Sequence, residues 1–146
     1  MKPKAKYKQG VYKPINGDKF MGEYATYRSG MELKFMRFCD SNPKVLQWGS
    51  ENYIIPYRHP DGKMRRYFVD NFVKIQEGDK ITKYLVEIKP SRQTKPPGTK
   101  YKKKAHMIYE QIQYAVNMAK WESCKKYCDK RGFRFLIITE KDLKNV

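Results

Sequence analysis

The chain has 146 residues, 40% of them hydrophobic and 14% aromatic, enough for one compact domain with its own core. Its 32 Lys and Arg outnumber 15 Asp and Glu, and the net charge of +17 points to a polyanionic partner, with nucleic acid favoured over an acidic membrane. No apolar run reaches membrane-spanning length, and three cysteines are too few for a disulfide scaffold, which fits a reducing compartment.

Residues 1–20 carry Lys2, Lys4, Lys6, Lys8 and Lys13 and read as an extended basic arm without the apolar centre of a signal peptide. The domain proper is expected over 21–146. In "YRSGMELKFMRFCDSNP", Met31, Phe35, Phe38 and Cys39 recur at helical spacing, with Leu33 and Met36 broadening the stripe. Ser29 reads as the N-cap, Glu32 as its capping-box partner, and Asn42-Pro43 as the stop. Glu32 thus has two readings, as a cap and as a site carboxylate.

Strands follow. Residues 53–57 form a short one that Pro56 places at an edge; "HPDGK" is a turn; 64–75 read as one long strand; "QEGDK" turns again; and 81–89 run back as an antiparallel meander. Residues 92–104 form a loop with six basic residues, Arg92, Lys95, Lys100, Lys102, Lys103 and Lys104, and no acid. Helical spacing returns over 105–130 with Ile108, Ile112, Ala115, Ala119 and Cys124, ended by Gly132. Cys124 and Cys128 share a helix face and read as packed thiols, since only His59 and His106 remain to complete a metal site with them. "FRFLIIT" is then a buried strand reached by a crossover. The order is helix, three-strand meander, helix, strand: an α/β fold with a mixed β-sheet flanked by helices. Most of the tyrosines fall in strand patterns and read as core rather than as base-stacking platforms.

Acids interrupt the apolar strands. Asp70 lies among Tyr67, Phe68, Val69, Phe72 and Val73, and Glu87 follows Leu85-Val86. A buried charge is costly unless it is paired or metal-bound. Strand alternation puts Glu87 and Lys89 on one face, and the intervening turn lets Asp70 approach Glu87. Two converging carboxylates repel, and a hard divalent cation such as Mg²⁺ relieves them. With a lysine beside it, that set suits phosphodiester hydrolysis. A solvated hairpin face with a cross-strand ion pair is the competing reading. No Ser-His-Asp, Cys-His or P-loop pattern is present.

"VD" at Val69-Asp70 followed by "VEIK" from Val86 to Lys89 resembles the PD-(D/E)XK nuclease signature, with Val69 in place of its proline. "YRSGMELKF" is similar to the helix that carries an extra catalytic glutamate in many members. "NMAKWESCKKYCDKRGFRFLIITEKDL" resembles the end of the TnsA-type endonuclease catalytic domain and, more closely, the small head-completion nucleases of tailed phages. The likeness runs over about residues 23–143 and implies a restriction-endonuclease-like fold. It implies Asp70, Glu87 and the backbone carbonyl of Ile88 as ligands of Mg²⁺, with Mn²⁺ able to substitute. Lys89 would position the attacking water or stabilise the transition state, and Glu32 would join the acidic cluster as a ligand or through a water. Asn117, Lys120 and Trp121 match a family motif; Asn117 and Lys120 would reach the site or a DNA phosphate, or stand as solvated helix residues, while Trp121 reads as core.

The expected function is metal-dependent cleavage of DNA, processing ends during phage head completion. The basic loop and arm would hold phosphates without reading sequence. The resemblance implies DNA as partner together with phage capsid or portal/neck proteins, with no membrane and no small-molecule cofactor. It places the protein in the host cytoplasm, packaged in or attached to the virion. Two other readings stand beside it: a structural DNA-binding head-completion protein without cleavage, and a junction resolvase.

Overall fold

The computed structural model describes residues 9–98 and 103–145. Among these, the elements in chain order are β1 (Gly10–Tyr12), β2 (Ala25–Tyr27), α1 (Gly30–Ser41), β3 (Val45–Ser50), β4 (Ile54–Arg58), β5 (Met64–Phe68), β6 (Asn71–Glu77), β7 (Lys80–Ile88), α2 (Lys104–Arg131) and β8 (Arg134–Ile138). Short 3₁₀ turns lie at Gly17–Lys19, Ser91–Thr94 and Asp142–Asn145. No helix of the described residues is long and apolar enough to cross a membrane.

The central sheet has the order β3-β6-β7-β8. β3, β6 and β7 are antiparallel, and β8 lies parallel to β7 after the α2 crossover. This is the mixed sheet between helices that the sequence implies. Strand alternation sends its side chains into two cores. Val73, Val86, Ile88 and Ile138 pack with Phe35, Met36 and Cys39 of α1 on one face. Phe72 and Leu85 pack with Val116, Trp121, Cys124 and Cys128 of α2 on the other. All three cysteines are buried free thiols, and Trp121 is core.

The caps act as their residue types dictate. The Ser29 hydroxyl accepts from the Glu32 N–H at 3.0 Å, and Gly132 closes α2 at φ 72°.

Three sequence expectations change. Residues 64–75 form two strands, because at Val69-Asp70 the backbone changes partners. The Val69 N–H donates to Tyr53 O at 3.0 Å, and the Asp70 carbonyl accepts from the Glu51 N–H at 3.1 Å. β4 and β5 therefore form a separate hairpin against α2 rather than part of the meander. In α2 the buried face is Val116, Asn117, Trp121, Cys124 and Cys128, while Ile108 and Ile112, expected in the stripe, are about half exposed.

The arm also ends sooner than position 20. β1 pairs with β2, and Phe20 stacks on buried Trp48 with ring centroids 4.5 Å apart. Buried Asp40 accepts hydrogen bonds from the Tyr12 hydroxyl and from the Ile15 and Asn16 N–H groups at 2.5, 2.8 and 2.9 Å. The first eight residues of the expected arm, and Lys100 and Lys102 of the basic loop, lie outside the described residues.

Candidate active site

The β6–β7 hairpin builds the centre of the site. Its register runs from Glu77 opposite Lys80 to Asn71 opposite Val86, with Gly78 at φ 63° in the turn. One step further, Asp70 falls opposite Glu87. Asp70 leaves the ladder there, and its carboxylate accepts the Ile88 N–H at 2.7 Å. Ile88 thus meets Asp70 through its amide, while its side chain fills the α1-side core. Glu87 is buried on the α2 side and accepts a hydrogen bond from the buried Tyr67 hydroxyl of β5. The β4–β5 hairpin therefore holds one of the two carboxylates.

The electrostatics are those of a crowded anionic pair. Burial pushes the Asp70 carboxyl well above the usual carboxylate range, and the Glu87 charge adds to it. The Ile88 N–H and the Lys89 ammonium oppose that shift without cancelling it. Burial, with Glu87 next, also raises the Tyr67 phenol, so its proton stays in place to be donated. Glu32 enters from the start of α1 and raises Asp70 further. Its own carboxyl is raised by burial, against hydrogen bonds from the Ser29 hydroxyl and the backbone at Arg28.

Cations border the pair. Lys120 of α2 lies over the Tyr57 and Tyr67 rings at 5.8 and 5.6 Å. Burial lowers its pKa and so does the Lys89 charge, while Glu87 and Asp70 pull it back up. Lys89 and Asn117 line a cavity of about 490 Å³ beside the carboxylates, together with Arg92 and Lys95. Lys103 and Lys104 are exposed at the start of α2 and do not line it.

Sequence reasoning missed two contributors. Tyr67 reads as an ordinary strand aromatic, and only the fold turns it onto Glu87. Arg28 pairs with Glu51 at 2.5 Å, and its guanidinium also feels Glu32 and Asp70. Glu51 has φ 56°, a left-handed conformation uncommon outside glycine, and its N–H is the donor that holds the Asp70 carbonyl. A turn-forming "SEN" at residues 50–52 was the one local signal for it.

Among the described residues no three His, Cys, Asp or Glu side chains form a ready-made metal cage. A hard cation at Asp70 and Glu87 would draw its remaining ligands from backbone oxygen, water or substrate. The two carboxylates are hard oxygen donors from facing strand positions, the donor chemistry that such a cation takes.

Comparison with known proteins gives two matches. Residues 42–140 match the family described as TnsA-like endonuclease N terminal. That stretch contains Asp70, Glu87, Lys89, Asn117 and Lys120 and leaves Glu32 outside it. The chain is also 38% identical over 146 residues to the head completion nuclease of Enterobacteria phage T4, covering 92% of this chain and 93% of that protein. A match over most of the domain, joined to a relative aligned nearly end to end, places this chain in the TnsA-like endonuclease family, and it is a nuclease.

Proposed function

We propose that this nuclease hydrolyses DNA phosphodiester bonds with Mg²⁺, for which Mn²⁺ can substitute, and that it processes DNA ends during phage head completion. The observation that carries the reading is the Asp70–Glu87 pair, with Glu87 buried and Asp70 partly buried, mutually repelling and bordered by Lys89 and Lys120. Asp70, Glu87 and the Ile88 carbonyl would hold the cation. When bound, it polarises the phosphoryl oxygen and lowers the pKa of its water.

The chain's own groups do the rest. Tyr67 keeps the Glu87 carboxylate oriented. Lys89 offsets charge on the phosphate and positions the water at the phosphorus. Glu32 supplies a third carboxylate at the rim, and Asn117, Arg92 and Lys95 take neighbouring phosphates. A role in completing heads would bring the protein to capsid or portal/neck proteins in the host cytoplasm or on the virion.

The test is cleavage of linear, circular and branched DNA with Mg²⁺, Mn²⁺ or EDTA, beside Glu87→Ala. Cutting is expected to need the metal and to fall roughly a hundredfold or more in the variant, with DNA binding kept. Wild-type cutting by Glu87→Ala would overturn the assignment.

A further inference from the structure

The cavity beside the carboxylates has a chemistry that simple phosphate contact does not require. Its volume is about 490 Å³, within the range of small-molecule sites and far too small for a duplex. Lys89, Arg92 and Lys95 give it cations, while Tyr109 and Tyr114 of α2 give it aromatic walls. Asn117, itself buried, adds a side-chain amide to the lining. Tyr109 is 60% exposed, so it is not held there by the core. The acid on the wall, Glu110, sits 3.0 Å from His106 Nε2.

Cations, aromatic faces and amides in one concavity match a single nucleotide: phosphate, base face and base edge. A paired base cannot enter, because stacking and pairing hold it inside the helix. We propose that this cavity binds one unpaired nucleotide of the DNA next to the scissile phosphate, so that the nuclease selects ends with an unpaired nucleotide over blunt duplex. The inference rests on the DNA-nuclease reading and names its substrate class. It also gives the exposed Tyr109 of α2 a use.

The experiment measures binding in EDTA, where no cleavage occurs. Full-length protein is titrated into blunt duplex and into the same duplex carrying an overhang with 2-aminopurine at its first unpaired position. Expected are roughly tenfold tighter binding of the overhang and quenched fluorescence, both lost in Tyr109→Ala. Because Tyr109 is exposed, the variant should unfold at the wild-type temperature, checked by circular dichroism. Equal affinity for the two DNAs, or full overhang preference and quenching in Tyr109→Ala, would overturn the proposal. The selectivity without cutting in any metal would instead remove the nuclease mechanism and leave the nucleotide site standing.

Discussion

Two aspartates show how partners decide what a carboxyl does. Asp40 and Asp70 both resist burial as charges. Burial pushes Asp40 up, but the Tyr12 hydroxyl, the Ile15 and Asn16 N–H groups and Lys19 outweigh it and hold its pKa below normal. Asp70 has one N–H and a repelling neighbour, so burial and Glu87 win. The first has the partners of a structural carboxylate and the second the surroundings of a candidate site. The lowered folded pKa of Asp40 fixes the sign of its pH dependence. Its contribution is present above the unfolded value near pH ~3.9 and is lost as pH falls through the folded value. Asp40→Ala should therefore cost about 3 kcal/mol in urea unfolding at pH 7, and the gap to wild type should narrow at pH 3. Asp70 stood out in the sequence because an acid among apolar residues violates strand patterning. Asp40 did not, because at the polar end of a helix it reads as ordinary.

At the level of elements, the start of α1 couples stability to the site. Ser29 satisfies the Glu32 N–H and also touches the Glu32 carboxyl. Ser29→Ala should lower stability by about 1 kcal/mol, seen as a drop in Tm, and should weaken cleavage by loosening Glu32. An unchanged Tm would show that the cap contributes nothing. Helices and strands were legible where period and punctuation agreed, as at Ser29, Asn42-Pro43 and Gly132. The β5–β6 break was not, because apolar residues continue across it and only the hydrogen-bond partners change. The N-terminal half of α2 misled for the opposite reason. Ile108 and Ile112 keep the helical period, yet they stay about half exposed, and the buried residues of α2 begin at Val116.

For the whole molecule, the +17 charge makes DNA affinity strongly salt-dependent. Arg92→Ala combined with Lys95→Ala should lower the magnitude of the slope of log affinity against log salt by roughly two, measured in EDTA. An unchanged slope would move the phosphate path away from the cavity. The short N-terminal strand and turn could not be foreseen as part of the domain, since Tyr12, Ile15 and Asn16 reach Asp40 across 24 to 28 positions of sequence. The Asp70–Glu87 approach was visible, because a hairpin register is local and only one turn separates the pair. β7 sits between β6 and β8 and feeds both cores, with Glu87 on it. Its amides should therefore be among the slowest in the chain to exchange with deuterium, near the rate set by global unfolding. Glu87 is then held by the most persistent strand of the sheet, while Asp70, outside the ladder, depends on single hydrogen bonds to the Glu51 and Ile88 amides.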